Sequence, residues 1–300
     1  MLYRLRGGKI PRRSDLEERR VVSLETIGAK MAPYAKRAEA ALSKEMGLYS
    51  HSRFFAPITY ALEGGKRVRP VILMLSAEAL GCRNGKVLDA AVAVELLHTE
   101  SIVHDDIIDE EITRRSRMTF HGKYGFNASL LTADFVFAMI LAIAARYEDR
   151  RVAEELSNAA LMMSEGEYSE LTINPAAYDL TWDEYLKIVT QKTAALFQVS
   201  TKLGALIAGG KEKEVEAFSN YGRSLGIAYQ LKDDLLDWRS KDKIATGLLR
   251  RHSESEIVGK MAALSRTYAE EAKRQLMLIP KSSATLFLED LTEYTIQRGF

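Results

Sequence analysis

An all-α fold follows from three features of the 300-residue sequence. Proline is scarce, at positions 11, 33, 57, 70, 175 and 280, so 71–174 and 176–279 are two proline-free stretches of 104 residues each. A proline inside a helix costs about 3 kcal/mol, so such stretches favour long helices. Within them apolar residues recur with a period near 3.6, and the alternation of β-branched and polar residues that marks strands is absent.

Composition narrows the class further. Hydrophobic residues are 47% and charged residues 28%, a globular balance that excludes a disordered or collagen-like chain. Lys+Arg 42 against Asp+Glu 41 leaves a formal charge of +1, so no nucleic-acid partner is expected. The single cysteine, Cys82, rules out an intrachain disulfide and a cysteine zinc site, and a cytoplasmic location is expected. The longest apolar run, Phe135 to Ala145, has eleven residues between Asp134 and Arg146. A bilayer needs roughly 20, so no transmembrane segment is expected, nor is a signal peptide visible at the start.

Along the chain, residues 1–30 form a basic arm with Arg4, Arg6, Lys9, Arg12, Arg13, Arg19 and Arg20 and little apolar period, read as a poorly ordered end. No linker or repeat divides the remainder, so 31–300 is expected to be one helical domain. Gly64-Gly65-Lys66-Arg67-Val68-Arg69-Pro70 sets three cations in a glycine-led turn before a helix. Glycine allows close backbone approach to an anion, and the helix start adds its positive end. Gly81 to Gly85 and Asn174-Pro175 read as turns between helices. Between them, Leu88 to His98 is apolar nearly all round, as in a helix buried on most sides.

That helix ends in His104-Asp105-Asp106-Ile107-Ile108-Asp109-Glu110-Glu111, five acids within seven residues. Asp105 with Asp109, and Asp106 with Glu110, are spaced i,i+4 and share a face. Carboxylates about 6 Å apart repel by roughly 3 kcal/mol at an effective dielectric near 20. Negative charge at a helix C-terminus also opposes the macrodipole. A second largely apolar segment, from Tyr221, ends in Asp233-Asp234-Leu235-Leu236-Asp237 and repeats the pattern 128 residues later. Two such clusters facing each other would hold hard divalent cations; Mg²⁺ fits because it keeps waters and is shared with substrate phosphates. Cations are available to meet such an anion. Arg114-Arg115 follows the first cluster, Lys192-Thr193 lies on a mostly apolar helix, and His98 stands two turns before Asp105.

With Tyr229-Gln230, these motifs in this order resemble the trans-isoprenyl diphosphate synthases, or polyprenyl synthetases, from about Tyr60 to Asp237. The resemblance implies an all-α homodimer whose helices surround a deep apolar cavity, the isoprenoid synthase fold, with an aspartate cluster on each side of its mouth. It implies condensation of an allylic diphosphate with isopentenyl diphosphate, using Mg²⁺, three ions with diphosphate bound. Asp105, Asp109 and Asp233 would ligate the metal, supported by Asp106 and by Asp237 through water. Lys66, Arg69, His98 and Arg115 would bind isopentenyl diphosphate, and Arg114 and Lys192 the allylic diphosphate. Thr193 and Gln230 would line the reaction centre.

Several positions depart from that family's pattern. Leu248 stands where a lysine is usual, Ser116 and Met118 replace a glycine and a proline, and Glu167 replaces a glutamine. Glu100 and Ser101, five and four residues before Asp105, occupy positions that help set product length. Ser101 and the lack of an aromatic there point to geranylgeranyl diphosphate or a longer product, while a glutamate inside an apolar tunnel requires a partner. Two alternatives stay open. Leu248 favours a non-catalytic subunit of an active synthase; a class I terpene cyclase would have no use for Lys66, Arg69 and His98.

Overall fold

The structure is a computed structural model, and it describes residues 24–82, 84–114, 116–238 and 244–298. The basic residues from Arg4 to Arg20, and Arg115 among the expected substrate ligands, lie outside the described residues.

The expected helices form in order: α1 (Leu24–Gly47), α2 (Phe55–Leu62), α3 (Val68–Ala79) and α4 (Lys86–Ile108), then α5 (Phe120–Tyr124), α6 (Phe126–Ala144) and α7 (Arg151–Leu171). After them come α8 (Trp182–Val189), α9 (Ala195–Ile207), α10 (Glu212–Leu236), α11 (Glu254–Leu276) and α12 (Ser283–Gln297). The boundary at residue 30 falls inside α1, which begins at Leu24 and carries Pro33 without ending there. Both expected turns separate helices, 81–85 between α3 and α4 and Asn174-Pro175 between α7 and α8. In the second, Asn174 Oδ1 accepts from the Ala176 amide at 3.0 Å, and Thr181 then starts α8 with a capping box to Glu184. Among the described residues the only strand pairing is a two-residue ladder, β1 (Thr113–Arg114) with β2 (Arg117–Met118), just beyond the first acidic cluster.

Burial explains the sequence pattern of α4. Every residue from Ala90 to Leu97 is buried, because α1, α3, α6 and α9 pack around it. α10 ties the layers together. Its first half, through Leu225, joins the main core, while Ile227 and Leu231 enter a smaller apolar cluster with residues of α8 and α11. Leu248 is fully buried in that smaller cluster.

The run-length estimate for a membrane span needs correcting. The eleven-residue run belongs to α6, a 19-residue helix of mean hydropathy 1.9, the one described helix long and apolar enough to cross a bilayer. Asp134 lies within it rather than at its edge. One face, including Ala133, Val136, Met139 and Ile140, is buried, against α4 among other helices. The other leaves Leu130, Leu131, Phe137 and Leu141 exposed.

Candidate active site

Asp105 lies on the last turns of α4, and Asp109 caps that helix, its amide bonded to the Asp105 carbonyl at 2.8 Å. Burial, against the opposing pull of Lys192 and with Glu167 and Asp109 adding repulsion, pushes the Asp105 carboxyl up to about 7. Burial also raises Asp109. Glu167 of α7 shares a hydrogen bond with Asp105. Lys192 Nζ is 2.6 Å from both Glu167 and Glu170. Burial pulls the lysine pKa down, yet Glu170, Asp105 and Glu167 more than offset this and hold it charged.

Asp106, expected to support the metal, is placed elsewhere. It is buried, and its Oδ1 lies 2.6 Å from Arg114 Nε, though neither atom is aligned for a hydrogen bond. Arg114 is also 3.3 Å from Glu111. The i,i+1 neighbour of Asp105 points about 100° away around a helix, so the pair cannot share a face. Asp106 therefore anchors the β1–β2 hairpin, and Arg114 is engaged by acids.

The second cluster repeats this division. Asp233 Oδ1 pairs with Arg298 Nη2 at 2.7 Å, and Asp237 caps α10. The middle acid, Asp234, is buried and accepts hydrogen bonds from Tyr185 and from Gln230 Nε2. Gln230 Oε1 in turn accepts from Thr193 Oγ1 at 3.0 Å. The expected pair Thr193 and Gln230 is thus brought together and locked in one orientation.

Local backbone geometry places Lys192 and Thr193. They lie in a π-helical turn, Thr190–Ala194, rather than in the regular helix expected; single extra-residue turns of this kind occur mostly at functional sites. The turn presses onto α7 at Gly166, where a Cβ would come within 2.4 Å of the Lys192 amide nitrogen. That approach sets Lys192 between Glu167 and Glu170.

Arg69 connects the two clusters. It feels the charges of both Asp105 and Asp233, and burial lowers its pKa. Its guanidinium lies 4.9 Å from the Phe197 ring centre, and its buried Nε has no hydrogen-bond partner. Lys66 is exposed beside it, and His98 is half-buried on α4, seven residues before Asp105.

Beside Asp105, a cavity of about 310 Å³ opens between α4 and α7. Asp105, Glu167 and Lys192 are polar groups in its wall, with Leu97, Ala160, Met163 and, from α6, Phe137 among the apolar ones. Glu100 and Ser101 also line it, and Glu100 Oε1 has the partner its setting requires, His104 Nδ1 at 3.1 Å. The hydrogen bond that His104 donates to Glu100 raises the His104 pKa.

Oxygen donors of this kind suit a hard cation. Among the described residues no three acids or histidines converge on one point, which is unlike a dedicated cage. It fits Mg²⁺, which takes one or two carboxylates and completes its shell with water and substrate phosphate.

Local sequence pattern reached most of these residues but missed Glu170, Phe137, Tyr185 and Arg298. Glu170 shares a face with Glu167 at i,i+3, a signal that was available. Arg298 carried none.

The helical bundle thus carries two acid-rich helix ends, an arginine whose buried Nε has no hydrogen-bond partner, and a cavity of mixed polar and apolar lining beside Asp105. Residues 51–247 match the polyprenyl synthetase family, and the chain belongs to that family. It is 37% identical to octaprenyl diphosphate synthase of Haemophilus influenzae over 58% of this chain and 53% of that protein. It is 35% identical to a geranylgeranyl diphosphate synthase of Methanosarcina mazei over 66% of this chain and 60% of that protein. The chain thus spans between about half and 60% of the length of these relatives. Its fold is similar to that of geranylgeranyl pyrophosphate synthetase from Pyrococcus horikoshii, with a TM-score of 0.82, 28% identity, and coverage of 92% of this chain and 99% of that one.

Proposed function

We propose that this protein is a trans-prenyltransferase that joins an allylic diphosphate to isopentenyl diphosphate, giving geranylgeranyl diphosphate or a longer product. The observation that carries this reading is half-buried Arg69, whose buried Nε has no hydrogen-bond partner and whose pKa, lowered by burial, is raised by the charges of Asp105 and Asp233. A guanidinium left that way calls for an anion, and carboxylates on either side call for cations.

Asp105, Asp109 and Asp233 would hold Mg²⁺, up to three ions with diphosphate bound, with Asp237 supporting through water. The bound metal supplies charge neutralisation for the departing diphosphate. Lys66, Arg69, His98 and Arg115 hold isopentenyl diphosphate. Lys192, held charged by the acids around it, and Arg114 meet the allylic diphosphate. Once the allylic C–O bond breaks, Thr193 Oγ1 and Gln230 Oε1 offer fixed oxygen dipoles to the positive carbon. The alkene of isopentenyl diphosphate forms the new C–C bond, and the proton lost goes to an oxygen of the released diphosphate. The apolar cavity wall excludes water from the cation and takes the growing chain at about 0.8 kcal/mol per buried methylene. Ser101 in that wall, with no aromatic at 100 or 101, favours the longer product.

The exposed stripe Leu130, Leu131, Phe137 and Leu141 on α6 recurs at helical spacing and suits a second copy of the chain, so the working form is a homodimer. A single Cys82 fits a reducing cytoplasm. The alternative of a non-catalytic subunit is favoured by one observation, the burial of Leu248 where the family pattern has a lysine.

The test is incubation of the protein with Mg²⁺, labelled isopentenyl diphosphate and dimethylallyl, geranyl or farnesyl diphosphate, with products sized by chromatography. Extension of a primer that is lost in Asp105→Ala and Asp233→Ala supports the proposal. A folded protein that incorporates nothing with any primer supports the silent-subunit alternative, and hydrocarbon formed without isopentenyl uptake supports a cyclase.

A further inference from the structure

The glycine-led turn carries three cations in sequence, but Arg67 is withdrawn from the group. It caps α3 with φ 55° and ψ 29°, a left-handed conformation uncommon for a residue with a side chain. Its guanidinium is buried, 7% exposed. Nη1 donates to Glu95 Oε1 at 2.6 Å, and Nη2 donates to the Leu62 carbonyl. Glu95, more buried still at 3% exposed, lies on the apolar helix α4. Gly65 makes room for the pair. A Cβ there would fall 2.5 Å from Arg67 Nη1 and 3.1 Å from Glu95 Oε1, so the turn is folded around this contact.

Glu95 also acts on Arg69, two residues beyond Arg67: burial lowers the Arg69 pKa and the Glu95 charge raises it, yet Arg69 makes no hydrogen bond or ion pair among the described residues and rests on the Phe197 ring. A carboxylate in a low-dielectric interior draws in a nearby guanidinium unless another already satisfies it.

We propose that Arg67 is a positioning residue: by holding the Glu95 carboxylate it keeps Arg69 unpaired and turned toward the diphosphate of the isopentenyl substrate. This rests on the activity proposed above. Without Arg67, Glu95 captures Arg69, and the anion loses its buried partner. The effect is specific to one substrate, because Lys192 and Arg114 stand elsewhere.

The test compares Arg67→Met, Glu95→Gln and the double variant by calorimetric titration with isopentenyl diphosphate and by steady-state kinetics. Arg67→Met is expected to weaken binding and raise the isopentenyl KM about ten-fold, the loss of one charge-assisted hydrogen bond, with the allylic KM unchanged. Glu95→Gln alone stays within about two-fold of the parent, and the double variant recovers most of the loss. Equal affinity in Arg67→Met, or a folded double variant as weak as Arg67→Met, overturns the proposal. Should Arg67→Met fail to fold, Arg67→Lys keeps the charge without the second donor, and the same order of affinities is expected in milder form. Should the parent show no turnover, titration with inorganic pyrophosphate still reports on Arg69, and the same order is expected there. Failure of the activity is thereby separated from failure of the Arg67 role.

Discussion

The guanidinium of Arg298, at the far end of the chain, lies 2.7 Å from Asp233 of the second acidic cluster. Two further contacts fix it there, a hydrogen bond to the Tyr229 carbonyl at 2.9 Å and the Tyr229 ring at 4.1 Å. Arg298 follows α12, and α12 packs on α10. A positive charge therefore sits on the carboxylate proposed to take a metal, at a helix end where negative charge is otherwise disfavoured.

Replacing Arg298 by glutamine removes that competitor. Mn²⁺ affinity, measured by calorimetry or electron paramagnetic resonance with Mn²⁺ as the probe, is expected to rise about two- to five-fold, the range for a partly exposed ion pair. Unchanged or weaker affinity contradicts the competition.

The carboxyl of Asp105 gives a pH signature. Its folded value, about 7, lies above its ordinary value of 3.8, so the folded state binds the proton more tightly than the unfolded chain. For such a group stability is greatest below about pH 4 and declines as pH rises to about 7. Other titrating groups add their own slopes, so the measurement is a difference: the fall in Tm across that interval is expected to shrink in Asp105→Asn. Mg²⁺ is expected to raise the Tm of the parent more at pH 8 than at pH 5. A metal effect independent of pH contradicts this account.

Gly166→Ala tests how the π-helical turn is held. A methyl group 2.4 Å from the Lys192 nitrogen cannot be accommodated without moving backbone. A loss of about 1–3 kcal/mol in denaturant unfolding is expected, together with lower turnover as Lys192 leaves the Glu167–Glu170 pair. Parental stability would show that α7 and the turn separate freely.

The cavity wall predicts product size. Ser101→Phe places a ring in the space between α4 and α7, and Phe137→Ala removes one. Chromatography of products made from farnesyl diphosphate is expected to show shorter chains for the first variant and longer chains for the second. The same distribution from both locates the growing chain elsewhere.

Much of this site is legible in the order of amino acids. The two Asp-Asp-x-x-Asp clusters and the glycine-led basic turn are local patterns that fall at the helix ends and turn their spacing implies, while Lys192-Thr193, read as part of a regular helix, lies in a π-helical turn. The roles of individual residues are less legible. Asp106 reads like its neighbours, but as the next residue on a helix it faces Arg114 instead. Arg67 reads as a third surface cation until Glu95, 28 residues away, takes it inside. The boundary at residue 30 follows charge, whereas α1 already runs from Leu24.

By itself the sequence determined the all-α class, the buried character of α4 and the presence of two acid-rich helix ends, since spacing along one helix decides which residues share a face. Only the tertiary structure decided that Lys192 is shared by Glu167 and Glu170, that Arg69 has no ion-pair partner among the described residues, and that Arg298 reaches Asp233. Those pairings join residues from different helices, and their energies depend on burial and on distances of a few ångströms that helix packing alone sets.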